Sequence, residues 1–261
     1  MSELVSESEG PVHRLTLNVP GRRNALTPGI ARALAQAIEH VEEVGDARVI
    51  LLSGAGGHFC AGLDLHWLRS LGATPSITEL QHGLSDFQSA VIAIVRCPVP
   101  VLAVLQGTAA GFGLDLALAC DMRLAGSSAT FTSAFARMGL VPDGGSTFTL
   151  PRLVGVGRAV RLLMTGETLD AREALSIGMV EEVTEDSALD SSVRRTVNAL
   201  LECSGSSIRT IKRLTRAPEV GALEQALSTE GAAQLQALQS PDFRARLEAF
   251  AARMASRGQI A

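Results

Sequence analysis

Two glycine-rich segments constrain this chain most. Each lies where an apolar, strand-like run passes into residues spaced for a helix. The first is GHFCAGLDL, from Gly57 to Leu65, and the second is GTAAGFGLDLALACD, from Gly107 to Asp121. Glycine admits backbone conformations and close approaches that other residues resist. A turn that feeds a helix leaves the first N–H groups of that helix without intrahelical partners. Two such turns side by side offer two N–H donors to one oxygen, which is the arrangement of an oxyanion hole. Taken singly, either segment reads equally well as a tight turn. Neither fits a nucleotide loop: Gly107, Gly111 and Gly113 do not make GxGxxG, and there is no GK[ST].

The surrounding pattern is α/β. Val12 to Asn18 alternates like a strand. Thr27-Pro28 supplies an N-cap and a proline at the first helical position, and Ile30, Leu34, Ile38 and Val41 follow at helical spacing. The run RVILL from Arg48 to Leu52 is a short, buried-type strand. Strand, helix, strand predicts a parallel sheet with a crossover helix. The pattern recurs with a helix over about Ser76 to Val95, a strand over Val99 to Leu105, a short helix over Gly111 to Ala119 and a strand over Asp121 to Ala125. From Arg158 onward the reading is mainly helical. A short helix over Ala171 to Ile177 is stopped by Gly178, and further helices are expected over Ser187 to Leu201, Ser206 to Thr215, Val220 to Leu238 and Pro241 to Met254. A soft boundary falls near Met179 to Asp186, so the expected organisation is a core over 1–185 and a helical C-terminal region over 186–261.

Charge and cysteine usage narrow the function. The chain of 261 residues has a formal net charge of −4, which does not favour a polyanion, so nucleic acid is not expected as a partner. Cys60, Cys97, Cys120 and Cys203 show no CxxC spacing and read as reduced thiols. The N-terminal MSELVSESEG lacks the regions of an export signal, and no apolar run has the roughly 18 residues of a spanning helix, so a cytoplasmic location without membrane insertion is expected. His13, His40, His58, His66 and His82 have no ligand spacing, and no metal site is expected.

Taken together, these segments resemble the enoyl-CoA hydratase/isomerase (crotonase) superfamily. The resemblance runs in order through Arg22-Arg23-Asn24-Ala25-Leu26, FCAGLDL, GFGLDLALACD, FTSAFARMGLVPDGG (Phe131 to Gly145), Pro151-Arg152-Leu153-Val154-Gly155 and SPDFRARLEAFAAR near Ser240 to Arg253. It covers nearly the whole chain. It implies a crotonase-like spiral of repeated ββα units with a helical C-terminal region that packs subunits into trimers or hexamers. It also implies an acyl thioester substrate, carried on CoA or on an acyl carrier protein, and no metal or redox cofactor. By position the oxyanion donors are the N–H groups of Leu63 and Phe112, where the family usually has glycine at the second site. Arg22, Arg23, Ala25, Cys60, Ala61, Phe250 and Arg253 fall where the family contacts CoA. His66, Trp67 and Phe135 are candidates for the acyl pocket.

The acid/base positions depart from the hydratase pattern. The first hydratase glutamate maps to Asp115, a shorter carboxylate. The second maps to Phe135, which moves no proton. A third position, used by several double-bond isomerases of the family, maps to Asp143. The implied function is therefore an enoyl-CoA isomerase-like enzyme, with a hydratase, a decarboxylase or a catalytically silent acyl-CoA-binding relative as alternatives. Shifting a double bond needs one base and no activated water. From the residues alone, Asp143 after Pro142 also reads as a turn or N-cap residue. Asp115, set among Leu114, Leu116 and Leu118, needs a partner or a task.

Overall fold

The computed structural model describes residues 2–72 and 75–256, with the side chains of 42–44 and 254–256 excepted. The expected core and C-terminal ranges thus include residues 1, 73, 74 and 257–261, which lie outside the described residues. The chain opens with β1 (Leu4–Glu9) and β2 (Val12–Leu17), joined through Gly10. The helix α1 (Pro28–Val44) follows, with Thr27 accepting from the Ile30 N–H as its N-cap. Next come β3 (Val49–Gly54), α2 (Leu65–Ser70) and α3 (Ile77–Arg96), the last closed by a Ser76–Glu79 capping box. Then follow β4 (Val101–Leu105), β5 (Thr108–Ala110), α4 (Phe112–Ala119), β6 (Met122–Gly126) and β7 (Thr130–Thr132). The remainder is α5 (Ser146–Val154), α6 (Val156–Thr165), β8 (Thr168–Asp170), α7 (Ala171–Ser176), β9 (Glu182–Thr184), α8 (Leu189–Glu202), α9 (Gly205–Leu238) and α10 (Pro241–Ser256).

A larger sheet has the order β1-β2-β3-β4-β6-β9, parallel except for the β1–β2 hairpin. A smaller sheet has the order β5-β7-β8, and a bridge between Cys60 and Ala109 adds the first glycine-rich segment to it. The middle units, which begin at β3, β4 and β6, each place one extended segment in either sheet before the next α-helix, whereas β1 and β2 both lie in the larger sheet. In β3, Ile50 and Leu52 pack with α1 and α3, while Val49 and Leu51 pack with Val193 and Val197 of α8. A strand covered on both faces has no polar face, which is why RVILL does not alternate.

The polar N-terminus, for which no element was expected, forms β1, whose exposed serines and glutamates suit an edge strand. Two local expectations are revised. Helix begins at Ser146, earlier than Arg158, with Pro151 inside α5. The two helices expected on either side of residues 216–219 are one, α9, with Pro218 inside it. Proline removes one ladder donor. Here the helix is held on both sides of it: Lys212 and Arg216 pair with Asp121 before Pro218, and Leu223 and Leu227 are buried after it. The segment read as a soft boundary contains β9, which pairs with β6.

Candidate active site

The two glycine-rich turns lie against each other. The Cys60 N–H donates to the Thr108 carbonyl at 2.9 Å and the Ala110 N–H to the Cys60 carbonyl at 2.9 Å. Gly62 has φ +88°, and a Cβ there would stand 2.6 Å from the Ala110 carbonyl oxygen and 3.2 Å from the Phe112 nitrogen. Only glycine permits both the conformation and the approach. The flanking backbone is fixed: Leu26 donates to Gly62 at 2.7 Å and Asp64 to Leu26 at 2.8 Å. Between these bonds lies Leu63. Phe112 opens α4 after Gly111, with no side-chain cap. Among the described residues no hydrogen bond uses the N–H of Leu63 or of Phe112. Leu63 and Phe112 line the same cavity, of about 500 Å³.

The cavity is walled largely by apolar side chains. Trp67 meets Phe87 edge-on with ring centroids 6.5 Å apart, and Phe87 lies 4.9 Å from Phe112. Phe135, Leu140 and Phe250 add to the wall. The Phe112 ring is buried, so a large residue at the second turn leaves the cavity open.

Asp143 is the one acidic side chain on that wall among the described residues. Its Oδ2 accepts from Gln234 Nε2 at 3.0 Å, while its Oδ1 is buried without a partner among the described residues. Burial, aided by the Glu230 charge, raises its pKa to about 7 against the pull of the Gln234 amide. Asp115 does not line the cavity. It is buried on α4, where its Oδ2 accepts from the Gly144 N–H at 3.0 Å. Burial first, then the charges of Glu230 and Asp143, push its carboxyl well above the usual range. The nearby Ser146 hydroxyl and the Gly144 N–H pull the other way without offsetting this. Asp115 Oδ1 and Ser146 Oγ both lack a hydrogen-bond partner among the described residues. Gly144 has no room for a side chain, since a Cβ would stand 2.6 Å from Asp115 Oδ2 and 2.8 Å from the Phe112 ring.

Two residues of this site escaped the sequence reading. Glu230 of α9 accepts from the N–H groups of Gly145 (2.7 Å) and Thr147 (2.9 Å) and from the Thr147 hydroxyl. Gln234, one turn on, holds Asp143 and accepts from the Val141 N–H at 3.1 Å. A signal existed: Leu223, Leu227, Glu230 and Gln234 fall on one helical stripe, so two polar residues interrupt an apolar face.

The candidate CoA positions are distributed. Ala61, Phe250 and Arg253 line the cavity. Arg22 is engaged by Asp64 and by Glu3 at 3.5 Å, and Asp64 also caps α2. Arg23 is exposed, with its carbonyl accepting from the Ala61 N–H at 2.9 Å. Ala25 is buried beside these. Cys60 is fully buried, and burial pushes its thiol to about 12, which removes it as a nucleophile. Trp67 and Phe135 are on the cavity wall. His66 is exposed and is not on that wall, because Asp64 caps α2 in a register that turns position 66 outward. No group of three or more His, Cys, Asp or Glu residues suited to a metal occurs among the described residues.

Comparison with known proteins gives the same outline. A family model described as enoyl-CoA hydratase/isomerase matches residues 7–257. The chain is 34% identical over 254 residues to a 1,2-epoxyphenylacetyl-CoA isomerase of Escherichia coli (strain K12), covering 97% of each chain. It is 35% identical over 236 residues to a probable enoyl-CoA hydratase of Rhodobacter capsulatus, covering 90% of each. The structure superposes on that of an enoyl-CoA hydratase from Mycobacterium avium subsp. paratuberculosis K-10 with a TM-score of 0.86 at 31% identity, covering 95% of this chain and 98% of that one.

Proposed function

The chain belongs to the enoyl-CoA hydratase/isomerase family, and from that premise we propose that it shifts a double bond in an unsaturated acyl-CoA, with Asp143 carrying the proton. The observation that carries this reading is that Asp143 is the one carboxylate on the cavity wall among the described residues. Hydration needs a second acid/base group around an activated water, and the position matching the second hydratase glutamate is Phe135. Isomerisation needs one base. Asp143 takes a proton from the carbon next to the thioester carbonyl, and the C–H electron pair moves into the conjugated system. The charge that develops on the thioester oxygen is met by the N–H groups of Leu63 and Phe112. Asp143 then returns the proton two carbons further on, and the double bond enters conjugation. A carboxylate with a pKa of about 7 is well matched to both transfers near neutral pH. Asp115 holds the turn that carries Asp143, and the exposed Arg23 is the freest of the assigned arginines to meet the CoA phosphates.

The aromatic wall of Trp67, Phe87 and Phe112 supports a ring-bearing acyl group as a second reading of the substrate. The name of the Escherichia coli relative points the same way.

The test is incubation with 3-enoyl, 2-enoyl and 3-hydroxyacyl thioesters and with an epoxidised arylacetyl thioester, products being identified by mass and NMR. Conversion of 3-enoyl to 2-enoyl product supports the proposal. Net formation of 3-hydroxyacyl product makes the enzyme a hydratase, and tight binding without turnover makes it a silent relative.

A further inference from the structure

We infer that Gln234 is a positioning residue that orients the carboxyl of the Asp143 base by holding one of its two oxygens. The inference rests on the assignment of Asp143 above. Gln234 is 2% exposed and both ends of its amide are used. Its Oε1 accepts from the Val141 N–H at 3.1 Å, and its Nε2 donates to Asp143 Oδ2 at 3.0 Å. The first bond fixes the orientation of the amide, since a flipped amide would set two donors against each other at Val141. The second bond therefore always occupies Oδ2. Oδ1 is left as the oxygen with no partner among the described residues, on a carboxylate that lines the cavity.

The grip comes from a helix remote in sequence. One turn before Gln234, Glu230 fastens the far side of the same loop through Gly145 and Thr147. Gln88 of α3 adds a bond to the Asp143 carbonyl at 3.2 Å and another to the Leu227 carbonyl at 2.8 Å, which ties the loop, α3 and α9 together. The charged groups around Asp143 are Glu230 on α9 and Asp115 on α4, with Arg137 and Arg253 on the cavity wall. Burial first and then the Glu230 charge raise the Asp143 pKa, and the Gln234 amide opposes them. Gln234 thus sets two properties of the base: its orientation and the pH at which it ionises.

Two substitutions separate this role from simple bracing. Gln234→Leu removes both bonds. Gln234→Glu keeps an acceptor for Val141 but replaces the donor facing Asp143 with a carboxyl. The Asp143 carboxyl is followed by carbon-13 NMR in the free protein, with Asp143→Asn identifying its signal, so this readout needs no substrate. The Asp143 pKa is expected to rise in both variants, in Gln234→Leu because the bond to the charged form is lost and in Gln234→Glu because the introduced carboxyl repels the ionised form, the two then titrating as a pair. With 3-enoyl-CoA, kcat is expected to fall about ten- to a hundredfold in Gln234→Leu with KM little changed, and the acidic limb of the rate profile to move upward by the same interval. An unmoved Asp143 pKa in both variants overturns the inference, whatever happens to the rate. A raised pKa with kcat and its pH profile unchanged, where Asp143→Asn abolishes turnover, also overturns it. If Asp143→Asn itself retains full turnover, the assignment of the base fails first, and the NMR titration shows whether Gln234 still governs that carboxyl.

Discussion

The Gly144 N–H donates to Asp115 Oδ2 at 3.0 Å, one residue beyond Asp143. A carboxyl buried on α4 thereby holds the turn that presents a second carboxyl to the cavity. This bond divides the labour between the two aspartates and sets the first expectation. Asp143→Asn removes the base while keeping its shape, and isomerisation should fall by about 10²–10⁴-fold with thioester binding nearly unchanged. Asp115→Asn should cost less in kcat and should also disturb KM. Steady-state kinetics with a parallel binding titration decides between them, and a dead Asp115→Asn beside an active Asp143→Asn reverses the roles.

The acid limb of the rate should report Asp143. Its pKa of about 7 means that the basic form grows in as pH rises through neutrality, so kcat should climb between pH 6 and 8. Stability should move the other way. Between the ordinary 3.8 and about 7 the folded chain keeps a proton that the unfolded chain has released, so stability falls as pH rises through that window. Asp115, raised in the same direction, adds to the slope. Thermal melts of wild type and Asp143→Asn from pH 4 to 8 should converge at low pH and separate at high pH, with the variant melting higher.

Gly62→Ala should damage the site more than its size implies. The new methyl meets the Ala110 carbonyl and presses on the Phe112 nitrogen while the backbone is held at positive φ. We expect a stability loss of about 1–3 kcal/mol, and a loss of turnover larger than the unfolded fraction explains. Chemical denaturation paired with kinetics on the folded fraction separates the two, and a variant with unchanged kcat would show that the two turns do not share an oxygen.

Much of this was legible beforehand, for physical reasons. Local signals are complete within a few residues, so the Thr27-Pro28 start, the helix beginning near Ser76 and the RVILL strand were read at or near their observed positions. The two glycine turns were readable because the close approach at Gly62 leaves a mark in the residue type. Glu230 and Gln234 showed only as polar breaks in an apolar stripe, and their task stayed hidden because their partners Thr147 and Asp143 lie 83 and 91 positions away. Pro218 misled for the opposite reason: its local preference is to end a helix, and tertiary anchors on both sides outweigh it. His66 misled because adjacency in sequence to a site residue does not fix the direction of a side chain.

Helix α6 carries Val156, Val160 and Met164 at four-residue spacing, 68%, 41% and 73% exposed. An outward apolar stripe of this kind suits a contact between copies of the chain. We expect the protein to sediment as a trimer or hexamer at micromolar concentration, and Val160→Asp with Met164→Asp to shift it toward smaller species. A wild-type monomer at that concentration would remove the expectation.

Helix α9 reaches from Lys212 and Arg216, which pair with Asp121 just past the end of α4, to Glu230 and Gln234, which hold the loop of Asp143. Its 34 residues span about 50 Å at the helical rise. During synthesis, the ribosome will have released both glycine turns and both aspartates well before it adds the residues that lock them. A nascent chain stalled short of residue 230 therefore carries the groups assigned to the chemistry without the clasp that aligns them. In this protein the order of translation separates having the reactive groups from having an active site.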